Sequence, residues 1–86
     1  MEAVAASRAR LEAAAIARRS AEEQYASEQR QFQAGTSSVF LVLQRQTDLI
    51  TTRNREVRTR ADLGEAQAAF ERASARTLTA HNIAVR

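Results

Sequence analysis

Few side chains in this sequence are of a type that does covalent or acid–base chemistry, and those few are scattered. His81 is the only histidine, cysteine is absent, and no carboxylate stands near His81 in sequence. A metal site or a base-activated nucleophile needs several such groups converging, so neither is expected there. Ser37 and Ser38 have no histidine at catalytic spacing and read as helix-capping residues rather than nucleophiles. Glu22 and Glu23 are neighbours, and successive residues on a helix point about 100° apart, so they do not form a carboxylate dyad. Glycine-rich phosphate loops are absent as well. No enzymatic role, no metal and no cofactor is expected.

Arginine is the remaining chemistry. All 13 basic residues are arginine, against 10 acids, for a formal net charge of +3. Such a balance raises the question of nucleic acid. Resolved along the chain, residues 1–34 and 61–86 are each neutral, and the whole excess sits in 35–60. There, Arg53, Arg55, Arg58 and Arg60 interleave with Glu56 and Asp62 at helical pairing distances, as in Glu56–Arg60 and Arg58–Asp62. A solvated, partly paired helix face accounts for this pattern, with each pair contributing about 0.2–0.5 kcal/mol. No nucleic-acid partner is expected.

The elements that carry these residues are helices. The chain has 86 residues with no proline, two glycines, and 19 alanines matched by 19 large apolar residues. Residues 2–34 hold no glycine or proline and are dominated by Ala, Glu, Gln and Arg, all strong helix formers. Val4, Leu11, Tyr25 and Phe32 follow a seven-residue repeat that Arg18 interrupts, and Ser7, Ala14, Ala21 and Glu28 form the companion row. A seam of large and small residues is a coiled-coil pattern in which a partner backbone comes close. Gly35 can close this helix in a left-handed conformation, and the hydroxyls of Thr36, Ser37 and Ser38 can open the next. The chain is expected to reverse within residues 35–38.

A second helix is expected from about Ser38 to Ala73, with 74–86 as an irregular tail because Thr77, Thr79 and Asn82 interrupt the pattern. Two apolar stripes run along it. One comprises Phe40, Leu43, Thr47, Ile50, Asn54, Val57, Ala61, Gly64 and Ala68; the other comprises Val42, Leu49, Leu63 and Phe70. A two-helix hairpin covers only one of them, so assembly with further helices follows. Gly64 costs about 1 kcal/mol relative to alanine in mid-helix, which a close helix contact would offset. The longest apolar run is Val39 to Leu43, far short of the roughly 20 residues of a membrane-spanning helix, and the first residues show no signal-peptide pattern. This segment is not expected to insert into a membrane by itself. The fold class is all-α: one long antiparallel helical hairpin, a coiled coil forming part of an α-helical barrel or bundle.

The segments Glu22-Glu23-Gln24-Tyr25, Phe32-Gln33-Ala34-Gly35-Thr36-Ser37-Ser38-Val39-Phe40-Leu41-Val42-Leu43-Gln44 and Gln46-Thr47-Asp48-Leu49 resemble the outer membrane efflux protein (TolC) family. Members show an aromatic, a variable pair, Gly-Thr or Gly-Leu, a small polar residue, and a Val-Leu-Gln or Val-Leu-Asp ending. Arg60-Ala61-Asp62-Leu63 and Phe70-Glu71-Arg72-Ala73, followed by Thr77-Leu78, are similar to the family's second hairpin helix. Arg76 stands where a glycine is usual. The order of elements is that of the C-terminal periplasmic hairpin.

The resemblance implies a periplasmic segment of a bacterial outer membrane protein, one wall element of a trimeric α-helical tunnel for efflux or type I secretion. A periplasmic adaptor protein would dock on the hairpin tip, here Ala34, Gly35, Thr36 and Ser37. Leu41 and Gln44 would line the tunnel entrance, where some members carry acidic rings. Neither is charged here, so acid-based cation selectivity is not implied. The residues alone also allow a second reading, a free-standing helical hairpin scaffold that self-associates into a four-helix bundle.

Overall fold

The computed structural model describes the backbone of residues 2–85 and the side chains of residues 2–77. Two helices make up the fold: α1 (Glu2–Gln33) and α2 (Val39–Val85), packed side by side and antiparallel in a rod of 77 × 14 × 13 Å. The reversal falls at Gly35, the one described residue with positive φ, at 80°. Glycine takes this conformation without the Cβ penalty of other residues.

The turn closes and reopens the helices with backbone bonds supported by its hydroxyl side chains. The Gly35 N–H donates to the Phe32 carbonyl at 3.0 Å and the Thr36 N–H to the Gln31 carbonyl at 2.8 Å. This pair of bonds satisfies the carbonyls that a helix end leaves open. Four residues later the Val42 N–H bonds the Ser38 carbonyl at 3.1 Å, and the Leu41 N–H donates to Ser38 Oγ at 3.2 Å. Ser38 is therefore the N-cap of α2, one residue before the helix proper.

α1 buries the small row of its heptad. Ser7 (3% exposed), Ala14 (4%), Ala21 (6%) and Glu28 (8%) form the line of closest approach. The larger row, Val4, Leu11, Arg18 and Tyr25, is half-buried along one flank. On α2 the facing row is Val42, Leu49, Glu56 and Leu63, with Leu49 the most buried. Both α2 stripes repeat every seven residues, so periodicity alone does not choose between them. Arg18 makes the choice. A seam arginine without a counter-charge is costly, and only the Val42–Leu49–Leu63 row supplies a carboxylate, Glu56, at its level.

Two expectations are corrected here. The irregular tail over 74–86 is helical as far as Val85. Thr and Asn cost at most about 0.7 kcal/mol each in a helix, and after Gly64 no glycine or proline stops one. Gly64 makes no close contact with α1: among the described residues it is exposed, and an added Cβ would meet nothing within 4 Å. It sits on the outward stripe of α2, away from α1.

Candidate functional site

Two regions of the hairpin could engage a partner: the turn, and the outward side of α2. At the turn, Ala34, Gly35 and Thr36 are exposed and Ser37 is half-buried. The hydroxyls there are already engaged. Thr36 Oγ1 donates to the Gln31 carbonyl at 3.0 Å, Ser37 Oγ donates to Glu28 Oε2, and Ser38 Oγ caps α2. The other carboxylate oxygen of Glu28 accepts from Arg45 Nε at 3.4 Å, and Arg45 also approaches Asp48 at 3.7 Å. Glu28 thus ties α1 to the turn and to the second turn of α2 from one nearly buried position. What the tip offers outward is backbone and apolar surface together with the exposed Thr36 and Ser38 hydroxyls, each held in place by one bond to the hairpin.

The apolar surface begins immediately beyond it. Phe40 is 74% exposed, Val57 64%, Leu43 52% and Ile50 51%, with Val39, Leu41 and Phe32 also exposed. Phe40, Leu43, Thr47, Ile50, Asn54, Val57, Ala61 and Gly64 form one outward stripe with no charged residue on it. Leu41 and Gln44, expected at a tunnel entrance, are both exposed. Leu41 stands about 200° around the helix from Leu43, on the flank of α2 opposite to the one Leu43 and Ile50 occupy.

Midway along the rod a charged chain crosses the seam. Arg18 Nε donates to Glu56 Oε1 at 3.0 Å, Arg18 Nη1 donates to Glu22 Oε2 at 3.1 Å, Arg53 reaches Glu22 at 3.5 Å and Arg60 reaches Glu56 at 3.8 Å. The hydrogen bond to Glu56 raises the Arg18 guanidinium above its ordinary value, against a partial loss of solvation, and the charges of Glu56 and Glu22 add to the rise. Stability tied to a raised basic group is present below its unfolded value and lost only above it. Arg18 therefore stays charged throughout the neutral range. Of the two pairs expected from spacing, Glu56–Arg60 forms and Arg58–Asp62 does not among the described residues.

Among the described residues, no three His, Cys, Asp or Glu side chains converge to hold a metal ion, and no helix is long and apolar enough to cross a membrane. The side chain of His81 lies outside those described. Residue spacing pointed to the turn but missed the roles of Glu28 and Arg45. The signal was present: in a hairpin reversing at Gly35, a carboxylate one turn before the helix end faces a residue two turns into the next helix. Compared with family models, curated proteins and solved structures, the chain finds a match in none of the three.

Proposed function

We propose that this hairpin is a wall element of a TolC-like outer membrane export duct in the periplasm, acting by shape and without catalysis. Its turn would meet an adaptor protein and its outward stripe a neighbouring helix of the tunnel. The observation that supports this reading is the uncharged, uncovered ridge Phe40–Leu43–Ile50–Val57 running from a sharply closed turn. A hairpin built to stand alone would not leave its larger apolar side chains in water while burying alanines, since burial of a Val, Leu, Ile or Phe is worth about 1.5–3 kcal/mol. The role of Leu41 and Gln44 as tunnel lining belongs to the same proposal.

The test places a photo-crosslinking residue at Thr36, and separately at Glu65, in the protein expressed from its own gene in its own cell. Adducts with a periplasmic adaptor from position 36 but not 65 support the reading. Adducts absent from both, with the protein located outside the envelope, refute it.

A further inference from the structure

The uncovered ridge of α2 has flanks of one charge. At about 100° per residue, Arg53 and Arg60 lie along its side nearer α1, and Arg58 lies along the other. No carboxylate stands on or beside the ridge between Phe40 and Ala61. The two acids of that stretch, Asp48 and Glu56, are turned toward α1 and pair with Arg45 and Arg18. The flanking arginines are loosely held. Glu22 and Glu56 bond Arg18 at 3.1 and 3.0 Å. Arg53 stands 3.5 Å from Glu22 and Arg60 3.8 Å from Glu56, both side chains more than half exposed. Arg58 is exposed and makes no ion pair among the described residues. A guanidinium carries five N–H donors, so most of theirs remain open to another acceptor.

We infer that the ridge receives a helix of different sequence, whose own apolar seam is flanked by carboxylates at the levels of Arg53, Arg58 and Arg60. The row advances by threes and fours from Phe40 to Ala68, which is the pattern of a seam between helices. A lipid surface asks for a broad apolar face and gains nothing from Asn54 at its centre. In a helical seam, one asparagine fixes register and partner. Charge then decides against a second copy. Ridge on ridge, with Asn54 meeting Asn54, the same arginines would face one another, and like charges at seam flanks oppose pairing. Away from the turn, the other exposed large apolar residues are Ile16 and Phe70, one alone on each helix, so a copy has no second apolar row to offer among the described residues. A partner with acidic flanks would also meet the positive excess, which lies wholly in residues 35–60. The inference rests on the reading above only in taking the outward stripe to meet a helix; it adds that helix's chemistry and does not require a duct.

The test titrates the full chain into two fluorescent synthetic helices of about four heptads that share one leucine seam with a central Asn. One carries Glu at every flanking position and the other Lys, so neither pairs with itself. Fluorescence anisotropy at low salt should show the Glu helix bound about tenfold tighter or more, the gap narrowing as salt is added. The triple variant Arg53→Glu, Arg58→Glu, Arg60→Glu should prefer the Lys helix, and circular dichroism checks that it stays helical. If it does not, Arg58→Glu alone disturbs no ion pair of the hairpin and should still narrow the preference. Equal binding of the two helices, binding of neither, or a preference unmoved by the arginine variants overturns the inference. So does binding to phosphatidylglycerol vesicles in preference to the Glu helix, which gives the ridge to an anionic lipid surface. Adaptor cross-linking at Thr36 is decided separately: a duct whose neighbouring helix has other flanks keeps those adducts and loses this preference.

Discussion

Replacing Gly64 with alanine tests the outward orientation of its stripe most directly. Gly64 lies inside α2, exposed, with open space where a Cβ would stand. No clash or lost contact accompanies the substitution, so the change reduces to helix propensity, about 0.8–1.0 kcal/mol in favour of alanine. For a chain of this size 1 kcal/mol moves Tm by about 4–8 °C. Thermal unfolding of the dilute chain followed by circular dichroism should show a rise of about that size. The sign carries the information. Had Gly64 been needed for a close approach to α1, the added methyl would crowd that contact and Tm would fall. A fall in dilute solution would refute the orientation of the outward stripe, and with it the argument that Arg18 and Glu56 select the inward one.

Gly35→Val should lower stability by about 1–2 kcal/mol or more, because a left-handed backbone is costly for any residue with a Cβ and worst for a branched one. Gly35→Asn should cost less, and the two unfolding midpoints measured side by side check this. Ser38→Ala removes the cap of α2 and should cost about 1 kcal/mol, read from urea midpoints at unchanged m-value. Glu28→Ala leaves Ser37 and Arg45 without their shared acceptor and should cost about 1.5–3 kcal/mol. Amide exchange should then speed up at Leu41 and Val42 more than at Leu63; uniform acceleration would contradict a local clasp.

The reversal was legible because one glycine, followed by three hydroxyl residues, is the only such punctuation in the first half of the chain. The inward row of α1 was legible too: Ser7, Ala14, Ala21 and Glu28 recur every seven residues, and they are the most buried positions of that helix. The inward face of α2 was not. Its two stripes share one period, and the deciding feature is a long-range pairing of Arg18 with Glu56 that no local pattern encodes. The end of α2 was misread for a related reason: Thr77, Thr79 and Asn82 break an amphipathic pattern without breaking a helix. Gly64 drew attention as a packing residue because its propensity cost invited a compensating contact, and within the hairpin there is none. For the candidate site, the positions of the tip residues were readable, whereas the engagement of their hydroxyls depended on Glu28, a side chain seven residues before the glycine.

That clasp around Glu28 has a kinetic consequence. A surface whose rotors are already held surrenders little disorder on contact, so the adaptor docking proposed for this end would proceed as collision of preformed shapes rather than folding on contact. Association rates measured for the intact tip should then track viscosity and orientation, and loosening the clasp should slow capture without altering which surfaces finally touch.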